Sequence, residues 1–237
     1  MPDPAYKFGT PPSTARRLNG WFRGTRVNRE VWDRAYSRLP SEPPVIRPSP
    51  FARWVRRQEG GIPRAVVDVG CGTGTDDLWF ARKGASVLGL DYALRGSTPV
   101  AELAASEGAD LTFRAVNLNE LRSTLTESAR VARQPGPRVV TARHIADATD
   151  RVGRAHLWRA CDMMLRGGGR LYVEWLTHRG SHDPYAREQH LRPVPIARVV
   201  AELESRGATV LARRQTRVLA NSRAGHRIGR LVVEWRR

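Results

Sequence analysis

Cysteine, lysine and long apolar runs are all scarce in this chain of 237 residues. There are two cysteines, Cys71 and Cys161. Two thiols exclude a disulfide framework, so a reducing compartment is the expectation. No apolar stretch approaches the roughly 18 residues of a membrane span. The opening residues, Met1 to Phe8, have no apolar core of a signal peptide either. The sequence therefore predicts a cytoplasmic protein with no membrane span. Only Lys7 and Lys83 are lysines among 40 basic residues. Against 23 acidic residues the net charge is +17, carried almost wholly by arginine. Such charge attracts polyanions, so nucleic acid stays open as a partner beside an anionic small molecule. A basic surface inherited from arginine-rich codon usage is equally compatible. Apolar content of 41% with 7 tryptophans excludes a disordered chain.

What is present divides at about residue 58. Residues 1–58 are rich in proline, arginine and aromatics, with Trp21, Phe22, Trp32, Tyr36 and Trp54 set among arginines. Short helices are expected over 29–37, ended by Pro40, and over 50–58, with Ser49 as N-cap. This segment reads as a basic helical arm or lid over a domain of residues 59–237. From Ala65 onward apolar runs and helix patterns alternate. Strands are expected over 65–69, 86–90, 111–116, 138–142, 170–176, 209–213 and 228–235. Helices are expected over 76–83, 101–107, 120–133, 150–165 and 196–206. The fold class is α/β: a doubly wound, mostly parallel seven-stranded sheet. The last two strands have no helix between them and so form an antiparallel C-terminal hairpin.

The stretch Asp68-Val69-Gly70-Cys71-Gly72-Thr73-Gly74 joins the first strand to the first helix of this domain. Glycines there admit positive φ and let a ligand reach the backbone, and the helix start offers free N–H groups. The spacing departs from a dinucleotide fingerprint, because Thr75 stands where the last glycine would be. It also lacks the lysine of a phosphate-binding loop. Asp91 ends the second strand, seventeen residues past Gly74. A carboxylate there is suited to accept both hydroxyls of a ribose.

This D-x-G-C-G-T-G turn with its following acid resembles motif I of the class I S-adenosylmethionine-dependent methyltransferases. The resemblance covers the chain from about Ala65 to its end and implies S-adenosylmethionine as cofactor on a Rossmann-like methyltransferase fold. By that resemblance Asp68, Gly70, Cys71, Gly72 and Gly74 hold the methionine end, Asp91 the ribose, and Tyr92 stacks near adenine. The family usually has an acid after the third strand. Here Asn117 stands there, and its amide oxygen can take the same hydrogen bond.

Ligands of open α/β sheets lie beyond the carboxyl ends of the strands, so the end of strand four carries weight. It reads Arg143-His144-Ile145-Ala146-Asp147, without the N-P-P-Y type motif of enzymes that methylate base amines. Hydroxyl methylation is the expectation, and it needs a general base. His144, Asp147 and His190 are the candidates for catalysis, with Glu174 a further carboxylate late in strand five. Arg143 is assigned to the cofactor, and Glu174 and Arg192 to substrate. Part of the chain is similar to bacterial methyltransferases of cell-surface glycan and polyol-phosphate synthesis, through Arg143, His190 and Arg192. It departs from them at Asp147 and Pro193. That likeness implies a small molecule or anionic glycan as acceptor. The histidine-rich loop of residues 177–195 has no spacing of a metal site, and none is expected.

Overall fold

A computed structural model describes residues 32, 34–37, 45–178, 191–217 and 226–235. Seven strands form one sheet in the order β3-β2-β1-β4-β5-β7-β6. They are β1 (Ala65–Val69), β2 (Ser86–Asp91), β3 (Leu111–Ala115), β4 (Arg138–Arg143), β5 (Gly169–His178), β6 (Thr209–Arg217) and β7 (Arg227–Glu234). Strands β1 to β5 pair in parallel, whereas β7 is antiparallel to both β5 and β6. The architecture is the Rossmann-like methyltransferase fold, with its hairpin at the C-terminal edge.

Among the described residues the sheet is covered by helices α1 (Pro50–Gln58), α2 (Thr75–Ala81), α3 (Thr98–Ser106), α4 (Leu121–Ala132), α5 (Arg151–Met164) and α6 (Ile196–Glu204). The central strands show why both faces need cover. In β1, Val67 and Val69 pack on one side and Val66 on the other. In β5, Leu171, Val173 and Trp175 face one layer and Tyr172 the opposite one. The first layer is completed by Val131 of α4, Leu157 and Trp158 of α5, and Leu203 of α6. The second takes Phe51, Trp54 and Val55 from α1 and Phe80 from α2. Each such side chain contributes about 1.5–3 kcal/mol relative to its exposed state.

Helix α1 thus belongs to the core. Its buried residues, Phe51, Ala52, Trp54 and Val55, are spaced to share one face. Ser49 caps it as expected, its Oγ accepting from the Ala52 N–H at 3.0 Å. The packed body therefore includes α1, which the sequence reading placed in the arm. Strands β5 and β6 run longer than their apolar cores predicted, because β7 pairs along both of them. Among the described residues, no helix is long and apolar enough to cross a membrane.

Candidate active site

The strand order reverses between β1 and β4, and a cavity of about 790 Å³ opens beyond their carboxyl ends. The turn leaving β1 forms one wall. Gly70, Gly72 and Gly74 have φ of 80°, 57° and 74°. A Cβ on Gly70 would lie 1.9 Å from Cδ1 of Ile145. Gly74 is the left-handed N-cap of α2. Only glycine adopts this path without strain, and the backbone itself becomes the wall.

Asp91 closes the turn from β2. It is buried, and its carboxylate accepts from the N–H of Gly72 at 3.0 Å and of Ala93 at 2.9 Å. Tyr92 follows on the cavity wall. Asn117 also lines the cavity, but its side chain is engaged locally. Its Oδ1 accepts from the Asn119 N–H at 3.1 Å and its Nδ2 donates to Glu120 at 2.9 Å. An amide oxygen has two lone pairs, so one remains for a ligand.

Asp68 faces the cavity at the end of β1, opposite its register partner Thr141, whose hydroxyl donates to it at 2.6 Å. Burial pushes the Asp68 carboxyl up to about 7, against the Thr141 hydrogen bond and with help from the charge of Asp76. Burial likewise raises the Cys71 thiol, and Asp77, Asp91 and Asp68 add to the rise. Cys71 is a neutral wall residue rather than a nucleophile.

Strand four supplies the opposite side. Arg143 lies on the wall, its Nε 3.1 Å from Glu174 and its Nη1 3.7 Å from Asp76. His144 has φ 56°, the one left-handed residue other than glycine among those described. Strain of this kind persists where surroundings enforce it, and the His144 N–H donates to the Glu174 carbonyl at 2.7 Å. Its ring contacts Asp147 through Nδ1 at 3.0 Å, while Nε2 lies 3.9 Å from Glu174.

Asp147 is fully buried and does not line the cavity. The same oxygen that holds His144 accepts from the Leu176 N–H at 2.8 Å. Asp147 therefore stands behind the histidine, fixing its ring, and does not meet the ligand space itself. Glu174 is displaced in the same sense. It is buried between register partners Arg143 and Arg230, with Arg230 at 2.6 Å. Burial works to raise its carboxyl, yet His144, Arg143 and Arg230 hold it below the usual range. It is an ion-pair hub rather than a wall residue. Arg192 is exposed, with its N–H on the Asp147 carbonyl at 2.8 Å, and is off the cavity. His190 lies outside the described residues.

Two wall residues, Asp76 and Asp77, escaped the sequence reading. Asp76 accepts from the N–H and hydroxyl of Ser49 at 2.7 and 2.6 Å, tying α1 to α2. Asp77 is fully buried beside it. The paired aspartates right after the glycine turn were the available signal. Trp32 and Tyr36 also line the cavity, with ring centroids 5.7 Å apart. The Tyr36 ring covers Gly96, and its hydroxyl sits 3.1 Å from where a Gly72 Cβ would be. Trp32 packs on Leu176 and Leu191. Trp32 and Tyr36 thus sit on opposite sides of the cavity.

No family model matches the sequence, and no curated protein matches it. Solved structures do. The chain is similar to a protein solved in connection with the conversion of a disulfide bond into a thioacetal group during echinomycin biosynthesis. Identity is 22% and the TM-score 0.63, over 88% of this chain and 94% of that one. A SAM-dependent methyltransferase from Anabaena variabilis is 16% identical with a TM-score of 0.62, over 90% and 95%. The N-methyltransferase NodS from Bradyrhizobium japonicum, in complex with S-adenosyl-L-homocysteine, is 14% identical with a TM-score of 0.56, over 86% and 97%. At these identities the likeness establishes the fold.

Proposed function

We propose that this protein is an S-adenosylmethionine-dependent methyltransferase acting on a hydroxyl of a small molecule or phosphate-bearing glycan. One observation carries the reading: a single cavity joins the glycine turn, Asp91 and a histidine braced by a buried carboxylate. The residues fit the cofactor. The cavity runs along the glycine turn, and the buried Asp91 carboxylate lines it beside that turn, the acceptor that ribose hydroxyls need. When bound, S-adenosylmethionine supplies a methyl group already activated as a sulfonium.

The chain supplies position and a base. Asp91 accepts from the ribose hydroxyls, and Asn117 and Tyr92 flank the base. Asp68 faces the cationic methionine end, and Arg143 its carboxylate. His144 takes the proton of the acceptor hydroxyl at Nε2, while Asp147 holds Nδ1–H in the tautomer this needs. Trp32 and Tyr36 exclude water and narrow the space for the acceptor. Two free cysteines, Cys71 and Cys161, fit a cytoplasmic enzyme.

A second reading is binding without methyl transfer. The fold likeness extends to the [4+2]-cyclase SpnF, with a TM-score of 0.51 and 15% identity over 72% of this chain and 74% of that one. One fold hosts many chemistries. The test is calorimetric titration with S-adenosylmethionine and S-adenosylhomocysteine, followed by transfer of labelled methyl to a panel of polyols, glycans and RNA. Micromolar binding with label on hydroxyl acceptors upholds the proposal. Binding without label on any acceptor favours the second reading, and label on RNA alone overturns the acceptor class.

A further inference from the structure

The protein is strongly basic, yet its cavity is not. Among the described residues, the wall carries Asp68, Asp76, Asp77, Asp91 and Glu120 against the guanidinium of Arg143 and the imidazole of His144. That guanidinium is already held by Glu174 at 3.1 Å and faces Asp76 at 3.7 Å. A phosphate or carboxylate on the acceptor would meet this acidic wall with no cation to spare among those residues. The +17 of the whole chain is therefore no guide to the acceptor.

The space beside His144 is apolar and aromatic. Ile145 and Ala148, in the turn that follows it, line the cavity. Trp32 packs on Ala148 and is half-buried, as Tyr36 is. The two rings are 5.7 Å apart and inclined by 33°. Apolar faces of this kind hold another ring by stacking. A polyol turns hydroxyls to every side and would bury some of them unpaired here. The base agrees with the wall. A phenol ionises near pH ~10, as tyrosine does. An alkyl hydroxyl is closer to water, at about 15.7. General-base catalysis by an imidazole serves the more acidic hydroxyl better.

We infer that the acceptor is an uncharged phenol, seated against Trp32 with its oxygen at Nε2 of His144. The inference rests on the methyl-transfer reading above, and it makes Trp32 the specificity-determining residue. In the transfer the phenolic oxygen gives an electron pair to the methyl carbon. The methyl–sulfur bond breaks with its pair left on sulfur, which ends neutral. The phenolic proton passes to Nε2 and then to solvent, one proton for each sulfonium charge lost.

The experiment supplies the full chain with labelled S-adenosylmethionine and four acceptors: p-cresol, 2-naphthol, glycerol and glycerol 3-phosphate. Label is expected on the phenolic oxygen of the first two and on neither of the others. Trp32→Ala should raise KM for 2-naphthol about tenfold while kcat changes less than about threefold. Trp32→Phe should restore most of that KM. Calorimetric affinity for S-adenosylmethionine within about twofold of the wild type shows that both variants fold. Label on glycerol, glycerol 3-phosphate or a glycan but on neither phenol overturns the inference and leaves methyl transfer to hydroxyls standing. Label on the phenols with a KM that Trp32→Ala leaves unchanged also overturns it, because the acceptor then sits elsewhere. Label on no hydroxyl acceptor, with S-adenosylmethionine bound, overturns the methyl-transfer reading and the inference together.

Discussion

The two sides of the cavity are made of different material. On the β1–β2 side the wall is backbone: three left-handed glycines, with one carboxylate bonded to the N–H of the middle one. On the β4–β5 side the wall is side chains converging from distant positions, His144 and Arg143 braced by Asp147, Glu174 and Arg230. A backbone wall is rigid and general, suited to a common ligand. A wall of interlocked side chains is specific, and each member depends on others.

Changes on the two sides should therefore read out differently. His144→Gln is expected to lower turnover by about 10²–10⁴ and leave cofactor affinity within twofold. Steady-state rates beside calorimetry test this, and a loss of cofactor binding would move His144 to the other side of the comparison. Asp91→Ala removes a charged acceptor and should weaken cofactor binding about 100-fold, from hydrogen bonds of about 1.5–3 kcal/mol each. Unchanged calorimetric affinity would refute its role. Gly70→Ala forces a Cβ into Ile145 at φ 80° and should destabilise the fold by about 1–3 kcal/mol in urea titrations. Adding Ile145→Ala should return part of that loss. The smallest effect belongs to Asn117→Asp. Aspartate still accepts from Asn119 but loses the donor to Glu120, an exposed contact, so cofactor affinity should shift only about threefold, roughly 0.6 kcal/mol.

The same contrast governs what could be read beforehand. The glycine turn and Asp91 are local features, a strand end followed by residues of special backbone freedom, so pattern alone marks them. Asp147 and Glu174 were rightly noticed as chemical residues, yet pattern cannot tell which way a side chain points. Their places follow from register: Glu174 pairs with Arg143 on one strand and Arg230 on the other. Asp77 was missed because, beyond its place after the glycine turn, its environment is tertiary. An aspartate in the first turn of a helix is ordinarily a solvated partner of the helix dipole, and here the sheet buries it. Helix α3 begins at Thr98 rather than 101, since Pro99 starts the helix instead of barring it.

The arginine excess gains a meaning from the sheet order alone. Strand β6 has nine residues and is at the margin of the sheet, with no further strand beyond it among the described residues. A margin of that length is a template on which another chain could crystallise as an added strand. It carries Arg213, Arg214 and Arg217, all exposed. A second copy approaching edge to edge would bring its own three guanidinium groups against these. The repulsion guards against fibril growth, and it does so whether or not any polyanion ever touches the protein.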